Sequence, residues 1–251
     1  MAEDNWYSNG NNNWNATNAW NTQADGGGAA LSDPDADAHV VIQGSDTITI
    51  TAAIGNSIKS LTVESGSQLT GHASHPITIS AEGTASFGTN GYAVRIHSGS
   101  TLGTNVKLIV ETQADTWATL NAGSGTLDSL TINHASCNLI LQYAATLAGD
   151  LTITAGELDT HSNNYALTVT GTITNNGSLT INDSAVSCAK LAHADGTLTA
   201  AHSSNALTIN GASIGNARSC DISGAISGTL DIITTHTGTR TDDYTASSGN
   251  V

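Results

Sequence analysis

The chain has 251 residues and carries 6 Lys+Arg against 21 Asp+Glu, a formal net charge of −15. Charged residues make up only 11% of it and aromatics 4%. Neither a helical bundle solubilised by Lys and Glu nor a core of large rings can be built from such a composition. With no basic stripe to offset the acidic balance, phosphate is repelled and no nucleic acid is expected as partner.

No run of about 18 apolar residues occurs, so no membrane span is expected. The first residues, Met1 to Asn5, form neither a basic n-region nor an apolar h-region, and no secretory signal is expected. Cys137, Cys188 and Cys220 are odd in number and widely spaced. They read as small core residues, not as a disulfide framework, in a chain that folds in a reducing cytoplasm.

Three zones follow in chain order. Residues 1–38 form an arm or cap rich in Trp, Asn and Gly, with Trp6, Tyr7, Trp14 and Trp20, then Gly26-Gly27-Gly28 and the acidic turn Asp33-Pro34-Asp35-Ala36-Asp37. An open coil end needs a cap, and aromatic rings also anchor interfaces, so the tryptophans and Tyr7 are assigned to capping or partner docking. Residues 39–236 form the body, and residues 237–251 a polar tail or second cap.

The body is a succession of short alternating strings. They include Ile48-Thr49-Ile50, Leu61-Thr62-Val63, Ile77-Thr78-Ile79, Val94-Arg95-Ile96 and Leu108-Ile109-Val110. Further along come Leu130-Thr131-Ile132, Leu151-Thr152-Ile153, Leu167-Thr168-Val169, Leu179-Thr180-Ile181 and Leu207-Thr208-Ile209. A period of two means strands with one face buried and one wet, and an outward Thr favours the extended backbone while remaining soluble. The expected core is Leu61, Val63, Ile77, Ile79, Leu130, Ile132, Leu151, Ile153, Leu167, Val169, Leu179, Ile181, Leu207 and Ile209.

String starts at Leu61, Ile77 and Val94 lie 16 and 17 residues apart, and those at Leu130 and Leu151 lie 21 apart. Recurrent Gly and Asn turns, such as Glu64-Ser65-Gly66-Ser67 and Asn175-Asn176-Gly177-Ser178, suit tight corners. The expected fold is all-β: a single-stranded parallel β-helix, or β-solenoid, with coils of roughly 16 to 25 residues and about eight to ten turns. The alternative is another all-β fold, a sandwich or a multi-hairpin array.

The segment from Trp6 to Trp20 and the Gly-Ser-Leu-Thr-Ile run at Gly177–Ile181 resemble right-handed β-helix structural proteins of bacteriophage particles, of the capsid decoration, cement or spike type. Adhesin passenger repeats are more loosely similar. The resemblance implies a right-handed helix and a structural virion protein, attached non-covalently to the major capsid protein or other virion subunits. It further implies a homo-oligomer, a trimer pairing flat faces, displayed on the virion surface after assembly in the host cytoplasm. The alternative it carries is a receptor- or glycan-binding spike or a surface adhesin at the cell surface. A polysaccharide-degrading enzyme comes third.

Catalytic and metal chemistry is not expected, and no cofactor is. Asp33, Asp35 and Asp37 alternate as weak candidates for a hard cation, but they lack the glycine and distal glutamate of a calcium loop. His72 and His75 flank a turn without a third ligand. His134 and Cys137 should point to opposite sides of an extended chain. Among carboxylates, Asp128 and Asp150 lie 22 residues apart, about one coil, and with Glu157, Asp159 and Asp183 they are the acids a hydrolase would draw on. The basic residues Lys59, Arg95, Lys107, Lys190, Arg218 and Arg240 are scattered. Trp117, Tyr92, Tyr143 and Tyr165 are the aromatics from which a glycan groove would be made.

Overall fold

A computed structural model describes residues 4–24, 27–80, 91–113, 115–201, 207–211, 220–235 and 243–244. The described residues form a right-handed parallel β-solenoid with no helices. Period-two strings dictate it. A Leu-Thr-Ile string buries its two aliphatic residues and wets its threonine, and such a face is covered most simply by the next string stacked in register above it.

The cross-section has three faces. On the first, Ala38–Ile42, Ser60–Val63, Tyr92–Ile96 and Asp115–Leu120 stack in parallel. The second face begins with Thr47–Thr49, Gln68–Thr70 and Thr101–Leu102. The third begins with Ile77–Ile79, Lys107–Val110 and the first half of Ser129–Leu141. From there on, long strands run around corners. Ser129–Leu141 and Leu151–Asp159 each join face three to face one, and Leu167–Asn175 and Val186–His193 each join face two to face three. Irregular register at the corners marks the bends.

Inside, the strings align into aliphatic columns. Val40, Leu61, Val94 and Ala118 follow one another on face one. Leu139, Leu158, Leu179, Leu198 and Ile226 continue that face. Ile79, Val110, Ile132 and Ile153 form a column on face three. Leu167, Val186 and Leu207 do so on face two. All the expected core residues, from Leu61 and Val63 to Leu207 and Ile209, are buried. Outside, threonines stack as well: Thr131, Thr152 and Thr174 on face three, and Thr146, Thr168, Ser187 and Thr208 on face two.

The coil length differs from the sequence reading in an instructive way. Leu61 stacks on Val94, not on the Ile77 string, which lies on another face. The 16- and 17-residue intervals therefore separate faces; a full coil is 21 residues from Val40 to Leu61 and 19 from Leu139 to Leu158, within the expected 16 to 25, but 33 from Leu61 to Val94 and 28 from Leu198 to Ile226. Glycine corners stack in the same manner. A Cβ on Gly177 would lie 2.5 Å from the Gly156 carbonyl oxygen, and one on Gly196 would collide with the Gly177 carbonyl.

The N-terminal segment makes the first coil. Asp4–Ser8 pairs in parallel with Ala38–Ile42 and antiparallel with Trp20–Asn21, which in turn pairs with Ala30–Leu31. Trp6 stands in register with Val40 at the head of the face-one column. Trp14 and Trp20 are wholly buried, with ring centroids 5.0 Å apart and edge to face. Tyr7 is half-buried and stands in register with Asn21. The Asp46 carboxylate pins this coil by accepting from the Ser8 hydroxyl at 2.6 Å and from the Gly10 N–H at 3.1 Å. Of the tail at 237–251, only the Asp243–Tyr244 strand is described, and it pairs with Cys220–Ile222; the rest lies outside the described residues.

Candidate functional site

The outward positions of face one carry a different chemistry from the threonine columns of the other faces. Reading up the register, they are Tyr92, Trp117, Ile140, Asp159, Thr180 and Thr199. Tyr143 projects from the corner after Leu141 and is 56% exposed. Tyr165 and His161 come from the corresponding corner one coil later. There Asn164 N–H donates to the His161 carbonyl at 2.9 Å and Tyr165 N–H to the Thr160 carbonyl at 3.2 Å.

Four rings form a chain across this surface. Trp117 and His161 have centroids 5.6 Å apart, His161 and Tyr165 5.8 Å, and Tyr165 and Tyr143 6.0 Å. On the other side, Tyr143 and Tyr92 line a cavity of about 290 Å³ together with Arg95, His97, Ser98, Thr119 and Asn121. The Arg95 guanidinium sits 5.4 Å from the centroid of the Tyr92 ring, a cation–π distance. Burial, and after it the neighbouring Arg95 charge, hold the His97 imidazole below its ordinary value, against an opposing pull from Glu64.

The platform is held in place from beneath and beside. Its strands are fixed by rungs above and below. The corner loop is fixed by left-handed backbone at His161 (φ 67°) and Asn164 (φ 58°). Asn163 Nδ2–H donates to the Tyr165 hydroxyl at 2.9 Å. Asp159 Oδ1 accepts from the His161 N–H at 2.7 Å and from Asn182 Nδ2–H at 2.8 Å, which anchors the loop to the next coil.

The other candidates from the sequence separate. Trp6, Trp14 and Trp20 turn inward. Asn15 donates to Asp33 at 3.4 Å, Asp35 accepts from the Asp37 N–H at 3.0 Å, and Asp37 pairs with Lys59 at 3.1 Å, so the three acids do not converge on one point. Burial raises the Asp33 carboxyl. The His72 and His75 rings stack at 4.2 Å. Cys137 is buried, with the Thr112 hydroxyl donating to its sulfur at 3.2 Å, while His134 sits half-buried where the Ser129–Leu141 strand rounds its corner. Among the described residues no group of three or more His, Cys, Asp or Glu gathers to hold a metal. Because Leu130 pairs with Leu151, Asp128 and Asp150 fall one residue out of step. Asp128 pairs with Lys107 at 3.5 Å, and Asp150 accepts from the Thr172 N–H at 2.7 Å. Lys190 lies beside Thr172 on face three, whereas Arg218 and Arg240 lie outside the described residues.

The four aromatics singled out from the sequence are therefore brought together, and they gain Arg95, His97 and His161, which the sequence reading left unassigned. The signal was available: Tyr92, Trp117, Tyr143 and Tyr165 follow one another at 25, 26 and 22 residues, close to one coil each. The chain matches no known protein-family model, and no characterised protein or solved structure is significantly similar to it. No helix of the described residues is long and apolar enough to cross a membrane.

Proposed function

We propose that the chain is a non-catalytic structural protein of a bacteriophage-like particle, decorating or cementing the capsid from the virion surface. The observation that carries this reading is the closed three-faced coil around continuous aliphatic columns. Each rung is hydrogen-bonded above and below, so the body resists bending and local opening, as a reinforcing element must. The outward rows on faces two and three consist largely of short hydroxyl side chains. Such rows give flat surfaces suited to side-by-side packing, and they support a homotrimer that presents the remaining face outward. Attachment would run through the acidic and Asn-rich exterior of the first coil, since its tryptophans are occupied in closing the coil end.

Co-sedimentation of the full chain with assembled shells of a bacteriophage major capsid protein tests the reading. Saturable pelleting and a sedimentation mass three times the 25.4 kDa chain are expected. A chain that stays in the supernatant at every ratio overturns the decoration role. The second reading, a receptor-binding spike or adhesin, is favoured by the aromatic platform.

A further inference from the structure

We propose that Tyr92, Trp117, Tyr143, His161 and Tyr165 form a binding site for an uncharged oligosaccharide of hexopyranose units. The first support is where the chain spends its rings. It holds four Trp, five Tyr and one Phe. Trp6, Trp14 and Trp20 are buried in the first coil and Tyr7 is half-buried there, while Phe87 and the Tyr244 side chain lie outside the described residues. Every other aromatic, Tyr92, Trp117, Tyr143 and Tyr165, stands in one surface patch. The inner columns are aliphatic and need no rings, so folding gives no reason for the gathering.

The second support is chemical fit. A hexopyranose ring has a face of C–H groups and a rim of hydroxyls. The face stacks on aromatic rings, and the rim bonds to neutral polar side chains. Tyr and Trp offer large contact area on few rotatable bonds. Ser98, Thr119 and Asn121 line the adjoining cavity, and Asn163 borders Tyr165. The four aromatics come from four successive coils. At strand spacing these extend over about 14 Å, the reach of an oligosaccharide and not of a single sugar. The third support is charge. The chain carries −15, and Glu157 and Asp159 project from the coil that supplies His161 and Tyr165. Among the described residues Arg95 is the one cation lining the cavity, and against it the surrounding negative charge disfavours an acidic polysaccharide, which selects an uncharged ligand. The inference goes beyond the particle role and holds whether or not the chain binds a capsid.

The test is titration of the full chain with neutral hexasaccharides of the cellulose, maltose, mannan, galactan and chitin series, with oligogalacturonate as the acidic control. It is followed by tryptophan fluorescence, in which Trp117 is the half-exposed reporter, and by calorimetry. At least one neutral series is expected to bind with a Kd of about 1 mM or tighter, and oligogalacturonate is not. Trp117→Ala and Tyr143→Ala are each expected to weaken binding about tenfold or more, with Trp117→Phe retaining part of it. Both replaced side chains face outward, and an unchanged circular dichroism spectrum and unfolding midpoint verify that the variants fold. Three results overturn the proposal: no neutral series binding at 10-fold above about 1 mM, binding unaffected in both folded Ala variants, or self-association of the chain that both variants abolish. The last would make a second copy the occupant.

Discussion

Asn175 and His193 occupy consecutive places in the face-three column that otherwise reads Ile79, Val110, Ile132, Ile153 and Ile222, with Asn175 Nδ2 and His193 Nδ1 3.2 Å apart. The His193 ring is fixed by its other nitrogen. Nε2 lies 2.9 Å from the Ala225 carbonyl, which can only accept, so Nε2 carries the hydrogen and Nδ1 accepts from the Asn175 amide. Asn175 Nδ2–H also donates to the Thr197 carbonyl at 3.0 Å. Two polar side chains are thus buried as a hydrogen-bonded pair inside an aliphatic stack, with Asn175 Oδ1 left without a partner.

Removing one member should therefore cost more than removing both. His193→Ala leaves a cavity and takes the partner from one Asn175 amide N–H and from the Ala225 carbonyl, and should destabilise by about 2–4 kcal/mol. Asn175→Ile with His193→Leu restores the column and should recover most of that loss, since replacing both partners by apolar groups removes the desolvation penalty. A double-mutant cycle in urea measures it. Equal, additive losses for the singles and the double would show that the pair is not coupled.

The tryptophan cap should behave as a closure, not as an accessory. Trp20 Nε1–H donates to the Trp14 carbonyl at 2.8 Å, and both rings are fully buried. Trp14→Ala or Trp20→Ala should cost about 3–5 kcal/mol and open the end of the inner columns. Concentration-dependent association, seen by light scattering, should accompany the loss, because an uncapped solenoid end is a template for another chain.

What the sequence made legible was set by local alternation. Leu151-Thr152-Ile153 declares a strand, an inside and an outside without reference to any other residue, and it occupies such a place. The coil length was not legible in the same way, because Leu61, Ile77 and Val94 look alike although only the first and third share a face. An alternating string records which side is buried but not which face it lies on. Corners decide that, and corners such as Gly156–Gly177–Gly196 are specified by backbone crowding that no single turn reveals. The aromatic platform was legible as a set of residues but not as a place. Its members lie one coil apart, so their meeting follows only once the coil length is known. Asn175 and His193 were invisible for the opposite reason: polar residues in a column contradict the pattern, and only their mutual hydrogen bond justifies them.

Stacked corners predict a sharp contrast between two glycines of similar backbone. Gly10 has φ +77° with nothing within 4 Å of the place a Cβ would take, whereas Gly196 has φ +79° with the Gly177 carbonyl in the way. Gly10→Ala should cost only the left-handed backbone strain, about 1–2 kcal/mol. Gly196→Ala adds a steric clash with backbone and should lower the urea midpoint markedly further. Equal midpoints for the two variants would mean that the corner yields without penalty.

The inner thiols predict an alkaline weakness. Burial, and after it the neighbouring Cys220, push the Cys188 thiol from 9.0 up to about 12. The sign follows from which state binds the proton. Below pH 9 the thiol is protonated in both states and the full stability is present. Between pH 9 and 12 the unfolded chain loses the proton while the folded chain keeps it, so stability falls as pH rises. The loss attributable to this group is on the order of 4 kcal/mol across the window. Urea unfolding from pH 8 upward should show a steeper decline for the wild-type chain than for Cys188→Val, whose side chain suits a column place between Val169 and Ile209. At pH 8 the folded thiols should resist Ellman's reagent and react on unfolding. Parallel decline of the two proteins would show that Cys188 is not the source of the alkaline weakness.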